Sequence, residues 1–136
     1  MLLSQTQLLH SSVEIGSISE VRGNAQVLRD KAYGAKLKFD IQQMDDVRTE
    51  SGRVAITFED NSTVKLTEHS KLVIDEYIYD PDPSKSKMAL KFASGTARFI
   101  TGKFNNKSNI SIRTPTADIA IRGTDFTCTV DELGRS

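Results

Sequence analysis

The chain has 136 residues, and its eighteen basic side chains balance eighteen acidic ones, so no general electrostatic pull toward DNA, RNA or an anionic membrane operates. That length makes one domain with a genuine hydrophobic core, and a hydrophobic content of 38% suits a thin sheet protein with much surface. A single cysteine excludes an internal disulfide, and no apolar run reaches the length of a membrane-crossing helix.

Residues 1–12, M-L-L-S-Q-T-Q-L-L-H-S-S, carry neither the basic leader nor the continuous apolar stretch of a secretory signal. They read as an N-terminal arm in which Leu2, Leu3, Leu8 and Leu9 offer an apolar side, to the chain's own domain or to another subunit. Residues 13–136 read as one β domain. Ile15, Ile18 and Val21 open it, and Gly23-Asn24 supplies the positive φ of a tight hairpin before Ala25 and Val27. Alternation weakens over residues 31–46, where Leu37, Phe39 and Ile41 are the only regular apolar set. Val54, Ile56 and Phe58 alternate cleanly, Asp60-Asn61 turns the chain, and Val64 and Leu66 run back as a hairpin.

Residues 70–80 read as a long strand with Leu72, Ile74 and Ile78 on one face and Val73, Tyr77 and Tyr79 on the other. The second face is either packed inside or an aromatic surface for a partner. Residues 80–87, with Pro81, Pro83 and several charges, form a solvated loop. Met88, Leu90 and Phe92 make the next strand, Ser94-Gly95 a turn, and Ala97, Phe99 and Thr101 another strand. Over residues 110–130, alternation around Ile110, Ile112, Ile119, Ile121, Phe126, Cys128 and Val130 gives three short strands, with corners at Pro115 and Gly123. Cys128 shares a face with Phe126 and Val130, which makes it a small buried residue. Many short strands at spacings of about 8 to 12 residues imply an all-β sandwich, barrel-like roll or short solenoid. A chain that ends soon after Val130 reads either as cut short or as leaving a sheet edge open to strand addition.

Catalytic chemistry is hard to find in these residues. The only histidines, His10 and His69, lack metal-ligand spacing to a second His, Cys or carboxylate. The pairs Asp45-Asp46 and Asp75-Glu76 point to opposite faces in a strand, and Asp80 with Asp82 falls short of a calcium ligand set. No nucleophile elbow, P-loop or dinucleotide fingerprint occurs. Arg113, Asp118, Arg122 and Asp125 either pair across strands or leave Arg113 and Arg122 to present guanidinium forks to a partner's carboxylates. No enzyme activity, cofactor or metal is expected.

Several blocks together resemble the FecR-type domain. They are G-S-I-S-E-V-R-G-N-A-Q-V-L-R at 16–29, S-G-R-V-A-I-T-F-E-D-N-S-T-V-K-L at 51–66, H-S-K-L-V-I-D-E-Y-I-Y-D-P at 69–81, G-T-A-R-F-I-T-G-K at 95–103, and T-P-T-A-D-I-A-I-R-G-T-D-F followed by T-V-D-E-L-G-R-S at the end. Where such domains often show Gly-Asp before a threonine, this chain has Asp45-Asp46-Val47-Arg48-Thr49. The resemblance implies a β-rich module found in bacterial envelope regulators, surface proteins and phage-encoded proteins, with no shared chemistry attached. Together with the missing leader it favours a non-catalytic interaction module in a larger assembly, a phage virion component of tail, baseplate or neck, located in the virion or the host cytoplasm during assembly. The alternative is the periplasmic domain of a FecR-type regulator, which relays the state of an outer-membrane receptor to a sigma factor. A carbohydrate-binding domain ranks third, because tryptophan is absent. The expected partners are other protein subunits, including a second copy through sheet edges, and the candidate contacts are Leu2, Leu3, Leu8, Leu9, Tyr77, Tyr79, Arg113 and Arg122.

Overall fold

Period-two alternation becomes twelve strands in the structure, a computed structural model that describes residues 14–103, 109–121 and 125–131. They are β1 (Glu14–Arg22), β2 (Ala25–Leu28), β3 (Ala32–Gly34), β4 (Asp40–Gln42), β5 (Asp46–Thr49), β6 (Arg53–Phe58), β7 (Thr63–Leu66), β8 (Lys71–Ile78), β9 (Lys87–Ile100), β10 (Asn109–Arg113), β11 (Asp118–Ala120) and β12 (Asp125–Val130). The fold is all-β, a mostly antiparallel sheet curled into a half-barrel, with one short 3-10 turn at Pro83–Lys85.

The main strand order is β3-β2-β5-β8-β9-β7-β6-β1-β4, and β9 is its spine. On one flank β8 pairs with the first half of β9 and β7 with the second. On the other flank β10 runs parallel to the first half, carrying β11 beside it, and β12 runs antiparallel to the second. A strand shared in this way holds both wings of the sheet around one core, which includes Phe58, Phe92, Phe99, Ile56, Leu72 and Ile74, all buried.

Two sequence expectations change here. Ser94-Gly95 does not reverse the chain: the two expected strands are one strand of 14 residues, bent where Gly95 takes φ +101°. A Cβ at Gly95 would overlap Ser70, so the close approach and the backbone sign both require glycine. The faces of β8 also differ from strict alternation. A bulge between Ile74 and Glu76 shifts the parity, so Tyr77 joins Leu72 and Ile74 in the core and Ile78 turns outward. Similar shifts in β1 explain why Ile15, Ile18 and Val21, three apart, lie along one strand. The weakly patterned stretch after Lys31 forms β3, β4 and β5, two of them only three residues long.

Candidate functional site

The buried polar groups are consumed in holding the roll together. Tyr77 stacks on Phe58 with ring centroids 5.0 Å apart and donates its hydroxyl to Asp60 Oδ1 at 2.6 Å. Asp60, fully buried in the turn between β6 and β7, also accepts the Ser62 hydroxyl, and Ser62 Oγ in turn accepts the Gly102 N–H at 3.0 Å. Burial first, and then the bond to Asp60, push the Tyr77 phenol far above its ordinary range. A second knot joins the end of β2 to the β4–β5 turn. Arg29 makes a two-pronged contact with buried Asp45, Nε to Oδ1 at 2.8 Å and Nη2 to Oδ2 at 2.7 Å, under the rings of Tyr33 and Phe39. The Asp45 contact raises the Arg29 pKa. Asp45 also accepts the Gln42 N–H at 2.8 Å. Both carboxylates therefore act as cross-links between strands. Among the described residues no three His, Cys, Asp or Glu side chains gather as metal ligands.

The outward face of the β3-β2-β5-β8-β9 wing has a different character. Gly34 stands opposite Gln26, Gln26 opposite Arg48, Arg48 opposite Lys71, and Lys71 opposite Ser94. This register lines up one row of side chains across five strands. Above the row is an open groove of about 600 Å³, whose lining includes Gly34, Gln26, Arg48, Glu50 and Lys71. A neighbouring hollow of about 430 Å³ shares Glu50 and Lys71 with it and adds His69 and Ser94. The groove is polar, lies at the surface, and has no phenylalanine, tyrosine or tryptophan in its lining.

The described sequence-derived contact residues, Tyr77, Tyr79 and Arg113, do not form one exposed surface. Tyr77 is only 4% exposed and belongs to the core, because the β8 bulge reverses the face that alternation gave it. Tyr79 is half-buried against the core. Arg113 pairs with Asp118 directly across β10 and β11, Nε to Oδ1 at 2.9 Å, both side chains well exposed. Asp125 takes Arg98 as its cross-strand partner, at 2.6 Å. Leu2, Leu3, Leu8, Leu9 and Arg122 lie outside the described residues. Arg48 and Lys71 were not singled out from the sequence, since their opposition is a matter of register between strands 23 positions apart. Arg29 and Asp45 were likewise missed. The one available signal was Asp45 itself, standing where the family resemblance leads one to expect a glycine.

The sequence matches the family described as FecR protein over residues 45–136, the part of the chain from the β4–β5 turn through β12. Comparison with curated proteins and with solved structures gives no match.

Proposed function

The chain belongs to the FecR family, and from that premise we propose that it is a non-catalytic relay domain of a bacterial envelope regulator, working on the periplasmic side through contacts with other protein subunits. The observation that carries this reading is the family match, which spans the whole β5–β12 unit. The polar chemistry agrees with it. The buried carboxylates are spent on tyrosine, serine and arginine partners inside the fold, while the open groove lies over paired strands at the surface. The virion setting expected from the sequence has nothing further behind it, and family membership favours the relay.

Protease accessibility in spheroplasts tests the placement, using the native protein that contains this chain and an antibody raised against residues 14–131. The reading predicts degradation once the outer membrane is opened, with the cytoplasmic membrane still intact. Protection until that inner membrane is lysed, or co-sedimentation of the protein with phage particles, would overturn it.

A further inference from the structure

Arg48 and Lys71 form a directly opposed pair of like charges on antiparallel strands β5 and β8. Such pairs push apart across the roughly 5 Å between their Cβ atoms and cost stability. Arg48 is partly neutralised by Asp46, two residues away on its own strand, through contacts at 3.1 Å and 3.0 Å. Lys71 is exposed and has no ion pair among the described residues. Two other outward cations of the wing are matched: Lys87 reaches Glu76 at 2.8 Å and Lys91 approaches Asp75 at 3.7 Å. Like charges also stand opposite each other at Arg22–Arg53, Lys65–Arg98 and Lys91–Arg113, and what sets Arg48–Lys71 apart is that both side chains line the groove, with Lys71 at the overlap of the two hollows.

We infer that this groove is a docking site for an extended, weakly acidic segment of a partner protein, one carboxylate of which sits between Arg48 and Lys71. The inference rests on the reading of the chain as a protein-binding domain and adds the place and the chemistry. A carboxylate there converts a repulsive pair into two charge-assisted hydrogen bonds, with the guanidinium offering a fork. The row from Gly34 to Ser94 covers four strand spacings, about 19 Å at roughly 4.8 Å each, which is the span of about six residues of extended chain. Gln26 offers amide hydrogen bonds along the way. Gly34 leaves the far end open, since a Cβ there would meet nothing within 4 Å. Glu50 in the lining opposes a continuous polyanion, so the segment carries one or two acidic residues among neutral polar ones. The absence of a lining aromatic disfavours a sugar chain, which binds largely by stacking on rings.

Fluorescence anisotropy on the purified chain at low salt provides the test. The probe is a fluorescein-labelled octapeptide with two central glutamates between serines and threonines, and its analogue carries glutamines instead. Saturable binding of the glutamate peptide is expected, with the glutamine analogue about tenfold or more weaker. Lys71→Glu is expected to weaken binding about tenfold or more while leaving the unfolding midpoint unchanged or raised, because it removes the repulsion. Gly34→Val fills the open end without a backbone clash, and it is expected to weaken binding about tenfold with the fold intact. The inference is overturned if the wild type fails to saturate by about 1 mM peptide, a concentration that corresponds to only about 4 kcal/mol of binding. Equal affinity for both peptides, or unchanged binding by Lys71→Glu or by Gly34→Val, overturns it too. So does displacement by inorganic phosphate at the peptide's own affinity, which would mark a small-anion site, or binding of polygalacturonate in place of the peptide. Failure of these measurements leaves the spheroplast result standing, and failure in spheroplasts leaves the groove's affinity standing.

Discussion

Tyr77 and Asp60 meet in the core through a 2.6 Å hydrogen bond, although one lies on a strand and the other in a turn 17 residues earlier. The Tyr77 hydroxyl also accepts the Asp60 N–H at 3.0 Å, so the two residues bind each other twice. This contact pins the β6–β7 hairpin of one wing to β8 of the other.

Replacing the hydroxyl, as in Tyr77→Phe, keeps the ring stack on Phe58 and removes a donor from a buried carboxylate. The expected loss is about 2 kcal/mol in urea unfolding, in the range for a hydrogen bond to a charged group. The pH dependence has a definite sign. The folded-state pKa of Tyr77 is raised above the ordinary 10.0, by burial first and by Asp60 second. The native state thus holds this proton more tightly than the unfolded chain does. Its contribution is complete below pH 10 and declines as the pH rises beyond that. Tyr77→Phe should flatten the fall in stability above pH 10. An equally steep fall in the variant would show that another group is responsible.

Arg29→Ala strands a fully buried Asp45 carboxylate with the Gln42 N–H still donating to it. Removing one member of a buried pair costs about 3–5 kcal/mol, and the partial exposure of Arg29 brings the expectation to about 2–4 kcal/mol. Arg29→Lys keeps the charge and loses the fork, so chemical denaturation should place it between the wild type and Arg29→Ala.

Much of this architecture is legible in the sequence. The hairpin around Asp60-Asn61, the three strands after Ile110 and the buried position of Cys128 all follow from alternation, because side chains in a strand change face at every residue. What alternation cannot carry is an interruption of itself. The Ile74–Glu76 bulge moves Tyr77 onto the face of Leu72 and Ile74, and the bend at Gly95 looks like a turn until β7 and β8 are seen continuing along its flank. Cross-strand pairing is one of two readings open from the sequence for Arg113, and the hairpin register sets Asp118 opposite it. The groove was not legible at all. Its charges come from β5 and β8, and their apposition depends on the order of strands in the sheet.

The bend at Gly95 is expected to tolerate no side chain. Gly95→Ala adds positive-φ strain of about 1–3 kcal/mol to a comparable overpacking cost against Ser70, for a total of about 2–6 kcal/mol. Thermal unfolding checks this against Gly34→Ala, whose Cβ enters open space and which should lie within about 0.5 kcal/mol of the wild type.

Cys128, 6% exposed on β12, has its thiol pushed up by burial. Its modification by an aromatic disulfide reagent should be about a hundredfold or more slower in buffer than in denaturant, since reaction requires β12 to open from β9. Rapid labelling of the folded chain would place β12 outside the stable core.

The most direct test of the relay is transcription from the promoter governed by the regulator's sigma factor, measured while residues 1–136 are supplied in excess as a separate chain. Exported to the periplasm, the chain should compete for the regulator's contacts and change receptor-dependent transcription severalfold, and the same chain retained in the cytoplasm should leave it unchanged. An exported, folded chain without effect, or an effect from the cytoplasmic pool alone, would contradict the account.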